Sequence, residues 1–239
     1  MKTIGILQPG RIGDIIISLP IAKHYSDLGY NVVWPIAAPF IKSFTYAADY
    51  VQFIPVKHDN AADIMNWHRD AEWILNQFDC EKVLDLLYDF PGSSITSTLC
   101  HQSKQNFDEY RYTSSDVPFE NKWNLNINRN IDREMELYTT LVKQEKYVVT
   151  HLTSSAGRKQ ITLSDDILND YQVIDITPVT NNVFDWCTIL EKAAKLIMVD
   201  SCFVNLVEGL NLNDNKVLIP KGGTYQMPIV RTKWKVVNA

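Results

Sequence analysis

Thr3-Ile4-Gly5-Ile6-Leu7-Gln8-Pro9-Gly10-Arg11-Ile12-Gly13-Asp14-Ile15-Ile16-Ile17 is the stretch that decides the fold. An apolar run over Thr3–Leu7 stops at Gln8-Pro9-Gly10, where Pro and Gly interrupt extended structure. A second glycine and an acid follow, and then an apolar run that reaches Leu19-Pro20. The pattern predicts a strand, a tight Gly-containing turn, and a helix over Asp14–Leu28 closed by Gly29. The free amides and the dipole at a helix start favour anionic groups. Asp14 is therefore a capping residue, a catalytic base, or both.

The same alternation continues outward. Strands are expected over Asn31–Ile36, Val51–Val56 and Lys82–Leu87, with helical stretches over Phe40–Ala48 and Ala61–Phe78. In the last of these, Ile64, Trp67, Ala71, Ile74, Leu75 and Phe78 recur at helical spacing. This βαβαβαβ order implies a parallel sheet covered by helices. Residues 88–130 are polar and irregular, with room for a short helix. Asp132–Val142 reads as a helix, and a second α/β set follows it. Its expected strands are Lys146–Leu152, Gln172–Thr177, Leu196–Val199, Lys216–Ile219 and Val230–Val237; its helices are Val183–Ala194 and Ser201–Leu210. Two Rossmann-like domains are expected, 1–143 and 144–239. Parallel α/β units bind ligands at the carboxyl ends of their strands. Pro9–Asp14, Thr153–Lys159 and Asp200 all fall at such ends, so one site facing a cleft between two domains is expected.

Composition limits the function classes. The chain has 239 residues, 46% hydrophobic and 21% charged, which supports a sizeable core and excludes global disorder. A net charge of −5 argues against an overall nucleic-acid footprint but leaves room for a local basic patch. Cys80, Cys100, Cys187 and Cys202 form no C-x-x-C pair and lie in or beside apolar segments, which suits buried, reduced thiols in a cytoplasmic protein. The apolar run Ile15–Ile21 is too short to span a bilayer. The five histidines show no metal spacing, so no metal site is expected. A dehydrogenase is disfavoured: Gly10-Arg11-Ile12-Gly13 is only G-x-x-G, and the second strand ends in Trp34-Pro35 without an acid.

Four segments resemble one family in order. Gly13-Asp14-Ile15-Ile16 through Leu19-Pro20 is similar to the opening of glycosyltransferase family 9, the ADP-heptose:lipopolysaccharide heptosyltransferases of GT-B fold. Phe78-Asp79, Val83-Leu84-Asp85-Leu86 and Ser93-Ser94 resemble the next motif. Val148-Val149-Thr150-His151 with Arg158-Lys159 resembles the strand and loop that present a donor-binding Lys. Val199-Asp200-Ser201-Cys202-Phe203-Val204-Asn205-Leu206 resembles the Asp-Ser motif, with Cys202 in place of a Gly and Asn205 in place of a His.

The resemblance implies inverting, metal-independent transfer from a nucleotide diphosphate sugar, which is a substrate, so no cofactor is implied. Asp14 is then the base, and Gly10, Arg11 and Gly13 lie on the acceptor side. Arg158, Lys159, Asp200, Ser201, Cys202 and Asn205 hold the donor. The acceptor is a glycan, or a hydroxymethylated base in DNA. The alternative is a non-catalytic sugar-nucleotide-binding or assembly protein of the same fold, motivated by Cys202 and Asn205.

Plainer roles stand beside these. Asp200 can cap the following helix, Arg158 and Lys159 can be a solvated pair, and Asp85 suits a buried structural acid. His58 and His68 read as surface residues, and His151 ends a strand where a ligand contact is expected. Trp67, Trp73, Trp123 and Trp186 suit packing. Lys216, Lys221, Arg231, Lys233 and Lys235 form a basic C-terminal stretch, which is either a solvated edge strand or a polyanion contact. Lys221-Gly222-Gly223-Thr224 lacks the P-loop pattern.

Overall fold

A computed structural model describes residues 2–57, 64–87, 105–154, 157–163, 165–212, 215–221 and 227–237. His58, Ser93, Ser94, Cys100, His101 and the Gly222-Gly223-Thr224 turn lie outside them. The chain forms two units, Met1–Asn128 and Arg129–Ala239.

In the first unit, strands β1 (Thr3–Leu7), β2 (Asn31–Ala37), β3 (Val51–Val56) and β4 (Cys80–Asp85) make one sheet in the order β3-β2-β1-β4. Every pairing is parallel. Helices α1 (Ile12–Asp27), α2 (Ile41–Ala47) and α3 (Ile64–Leu75) make the crossovers. Strand order reverses between β1 and β4, and ligands bind at the carboxyl side of such a switch point. Helix α1 buries Ile15, Ile16, Ile17, Leu19 and Ile21. Trp67, Ala71 and Leu75 of α3 pack with Leu7, Val33 and Val56. Gly5 is required by this packing: a Cβ there would lie 2.9 Å from Leu75 Cδ2.

The polar stretch after β4 carries α4 (Phe107–Ser114) and a 3-10 turn over Phe119–Trp123. Asn106 caps α4 by accepting from the Asp108 amide, and Glu109 accepts in return from the Asn106 amide. Tyr112 donates to the Ile17 carbonyl, and Tyr25 donates to the Ser115 carbonyl. Both bonds tie α4 and the residue after it to α1.

In the second unit, α5 (Ile131–Leu141) precedes β5 (Tyr147–His151). A hairpin of β6 (Thr153–Ser154) and β7 (Gly157–Arg158) leads to α6 (Asp165–Asp170) and β8 (Gln172–Asp175). A 3-10 turn over Val183–Trp186, α7 (Cys187–Lys192), β9 (Lys195–Val199), α8 (Cys202–Gly209), β10 (Lys216–Ile219) and β11 (Trp234–Val236) complete it. The sheet is parallel, in the order β11-β10-β9-β5-β8. Counted within the unit, that is the 2-1-3-4-5 doubly wound order rather than the 3-2-1-4 arrangement of the first, and its switch point lies between β5 and β9.

The units divide at 128/129, ahead of the boundary at 143/144 that the sequence pattern predicts, because α5 packs with the second unit. Arg129 donates to Glu134 (2.9 Å through Nε), and Glu134 accepts from the Thr188 amide and hydroxyl at 3.0 and 2.7 Å. Arg133 makes a two-pronged pair with Asp185, at 3.0 and 2.6 Å.

Candidate functional site

Each switch point gathers polar side chains. In the first unit, carbonyls of the turn after β1 are satisfied in sequence. The Trp34 indole donates to the Gln8 carbonyl at 2.9 Å and the Ala37 amide to the Pro9 carbonyl at 2.7 Å. Gly10 lies against Trp67, whose Cζ3 would be 2.8 Å from an added Cβ. Helix α1 begins at Ile12, two residues before the predicted start. Arg11 takes the N-cap position and Asp14 is the third helical residue. Asp14 still caps, but from inside the helix: its Oδ2 accepts the Arg11 amide at 3.1 Å. Gly13 is half-buried and Arg11 exposed beside it.

The other Asp14 oxygen, Oδ1, accepts from Arg111 Nη2 at 2.6 Å. Arg111 is 3% exposed and Asp14 28%. Arg111 Nε donates to the Leu86 carbonyl at 3.2 Å, and the guanidinium lies 5.3 Å from the Phe107 ring centroid. Gln8, oriented to satisfy both ends of its amide, accepts from Arg111 Nη2 at 3.3 Å and donates to the Gly10 carbonyl. Burial pushes the His68 imidazole down to about 4, against an opposing pull from the Asp14 carboxylate. His68 is thus neutral at pH 7 and within the field of Asp14, not the surface residue expected. The sequence reading missed Arg111, which lies 97 positions from Asp14. The Asn106-to-Glu109 capping box marks the helix that carries it.

In the second unit, Asp200 follows β9 and is buried at 2% exposure. Its amide donates to the Ile219 carbonyl, and Lys221 Nζ lies 3.9 Å from Oδ2. Asp200 does not cap α8: Ser201 is the N-cap residue, with no side-chain cap bond. The Ser201 hydroxyl lies instead 2.9 Å from His151 Nδ1, at the end of the neighbouring strand β5. His151 packs against Phe203, ring centroids 4.7 Å apart. Burial pushes its imidazole down to about 4, with Asp175 raising it and Arg158 lowering it.

Burial also pushes the Cys202 thiol up to about 12, so it is protonated at neutral pH. Asn205 is buried, with Nδ2 3.5 Å from the Ser201 carbonyl within its own helix. Arg158 is exposed and pairs with Asp175 at 2.9 Å. Lys159, half-buried, is held by its amide, which donates to the Leu152 carbonyl at 2.8 Å. Asp200, Ser201, Cys202, Lys221 and His151 thus meet at one switch point, while Arg158 sits on the hairpin beyond β5.

Other expectations resolve individually. Asp85 accepts from the Leu87 amide at 3.0 Å, as a structural acid does. Trp67 and Trp186 are core residues, but Trp73 is 65% exposed. Cys80, Cys187 and Cys202 are free thiols. Lys216 does not belong to a solvated basic edge. It is 2% exposed, donates to the Leu212 carbonyl and the Thr232 hydroxyl at 2.5 Å each, and lies over the Trp234 ring. Arg231 donates to Asn211 at 2.6 Å. Among the described residues no cluster of three or more His, Cys, Asp or Glu could hold a metal ion. None of their helices is long and apolar enough to cross a membrane.

The two parallel α/β units, each with its polar residues at a switch point, match the GT-B fold of solved glycosyltransferases. The chain resembles solved structures of that fold. A family 9 glycosyltransferase from Veillonella parvula matches with a TM-score of 0.67, at 11% identity over 99% of this chain and 87% of that one. ADP-heptose lipopolysaccharide heptosyltransferase II from E. coli matches at 0.58, with 12% identity over 99% and 90%. The E. coli heptosyltransferase WaaC, solved with ADP-2-deoxy-2-fluoro heptose, matches at 0.52, with 12% identity over 99% and 93%. No protein-family model matches the chain. No curated protein matches it by sequence.

Proposed function

We propose that the protein is a glycosyltransferase that moves a sugar from a nucleotide diphosphate sugar to an acceptor hydroxyl, with inversion and without a metal. The observation that carries the reading is the Asp14 carboxylate, fixed through both oxygens at the β1/β4 switch point of a GT-B fold. A carboxylate so held can take the proton of an acceptor hydroxyl as its oxygen attacks the anomeric carbon. The bond to the diphosphate breaks on the opposite face, and charge develops on the leaving phosphate. Helix N-termini and cations stabilise such charge. The start of α8, with Ser201 and Lys221 at the β5/β9 switch point, suits that role. Cys202 keeps its proton there and adds no negative charge.

A glycan is the favoured acceptor. A DNA acceptor would need the basic C-terminal stretch, in which Lys216 is buried and bonded to Thr232 and the exposed Arg231 is bonded to Asn211. A thermal-shift screen with UDP, GDP and ADP and their sugars tests the donor side. Saturation at one hundred times Kd stabilises a protein by about 2.7 kcal/mol. No shift with any of them contradicts the reading. A shift without turnover favours the non-catalytic alternative.

A further inference from the structure

We infer that Arg111 is a positioning residue for the Asp14 base, an assignment that rests on the glycosyltransferase reading above. Asp14 has two anchors of different kinds. The Arg11 amide belongs to its own helix turn and would hold any carboxylate at the third helical position. The Arg111 contact is tertiary. It joins α4 to α1 across 97 positions and sets which way the second oxygen points.

Arg111 is itself fixed on several sides. Nε is bonded to the Leu86 carbonyl directly after β4, the guanidinium stacks on Phe107, and Gln8 from the end of β1 accepts from Nη2. The capping box at Asn106 and Glu109 and the Tyr112-to-Ile17 bond hold the helix that carries it. A planar guanidinium gripped in this way offers Asp14 a donor of defined direction, which a flexible ammonium does not. Beside Asp14, Arg111 on α4 is charged, whereas the His68 imidazole on α3 is neutral at pH 7. Arg111 therefore supplies the cation that orients the base, while the exposed part of the carboxylate is left to the acceptor.

The test is a double-mutant cycle on transfer from the donor sugar that the melting screen selects, with Arg111→Ala, Asp14→Asn and the pair. Misplacing a catalytic group by about 1 Å costs on the order of 10²-fold in rate. Arg111→Ala is therefore expected to lower kcat by about that factor, with the donor KM and the donor-induced melting shift unchanged. In the Asp14→Asn background the same change should cost little more, because Arg111 acts through Asp14. Guanidinium ion should restore part of the Arg111→Ala rate, and urea should not. If Arg111→Ala does not fold, Arg111→Lys carries the test: it keeps the charge, loses the fork, and should lower kcat alone. A folded variant with wild-type kcat, or full additivity with Asp14→Asn, overturns the inference and leaves the proposed function standing. A wild type that transfers from none of the UDP-, GDP- or ADP-sugars overturns both.

Discussion

His151 makes a quantitative prediction for stability against pH. Its imidazole ends β5, packs on Phe203 and pairs with Ser201, and burial lowers its pKa from 6.5 to about 4. An unfolded chain protonates this group as pH falls through 6.5, while the folded unit does not until about pH 4. The unfolded state binds more protons throughout that window, so His151 contributes stability that is fully present above pH 6.5 and lost as pH falls. At 1.36 kcal/mol per unit, the descent from pH 7.5 to 4.5 removes about 2.5 kcal/mol, most of it below pH 6.5. His68 in the first unit follows the same sign for the same reason. Calorimetry of the wild type, His151→Asn and His68→Asn at intervals from pH 7.5 to 4.5 separates the two contributions. Each variant should flatten the descent by the share of the histidine it lacks, whatever its absolute stability at pH 7.5. Proton NMR of the ring C–H signals reads the same pKa values directly. A His151 signal that titrates near 6.5, or a His151→Asn slope equal to the wild type, would refute the reasoning.

Three further outcomes follow from the packing and the buried network. Gly10→Ala places a methyl 2.8 Å from Trp67 Cζ3, and overpacking of this kind costs about 1–3 kcal/mol; chemical denaturation should show that loss, and Trp67→Leu in the same chain should recover part of it. Glu208→Gln should destabilise the second unit by about 1–3 kcal/mol, because Arg231 and Thr232 amides at 2.6 and 3.2 Å, the Trp234 indole at 2.7 Å and the Thr232 hydroxyl all donate to this carboxylate. Burial pushes the Glu208 carboxyl up, but those donors outweigh it and hold it below 4.5, so its contribution is present above pH 4.5 and lost as pH falls further. Cys202, held protonated by burial, should resist iodoacetamide at pH 8, as mass spectrometry of the intact protein would show.

Much of the architecture is legible in local pattern. The Thr3–Leu7 strand matches the structure residue for residue, and Val51–Val56 and Lys216–Ile219 do as well, since each is a short, mainly apolar run. Ends fail where tertiary bonds decide them. The expected helix Val183–Ala194 is a 3-10 turn to Trp186 and then an α-helix to Lys192, with Asn182 capping the turn. Ends also shift at strands: Lys82–Leu87 starts instead at Cys80 and stops at Asp85, whose side chain turns back to the Leu87 amide.

The candidate site is half legible. Asp14 is visible because the glycine turn announces a helix start. Arg111, His68 and the Lys216 network are not, because they depend on contacts between distant segments. A buried lysine is invisible to composition: Lys216 looks like its exposed neighbours until Glu208, Thr232 and Trp234 close around it.

Whether Asp14 is the base is read from nucleoside diphosphate release with sugar transfer, in wild type and Asp14→Asn, at equal donor occupancy. Loss of a general base typically costs 10²–10⁴-fold. Asp14→Asn should lose activity by that order, with an unchanged donor-induced melting shift. Transfer by Asp14→Asn at the wild-type rate would contradict that role.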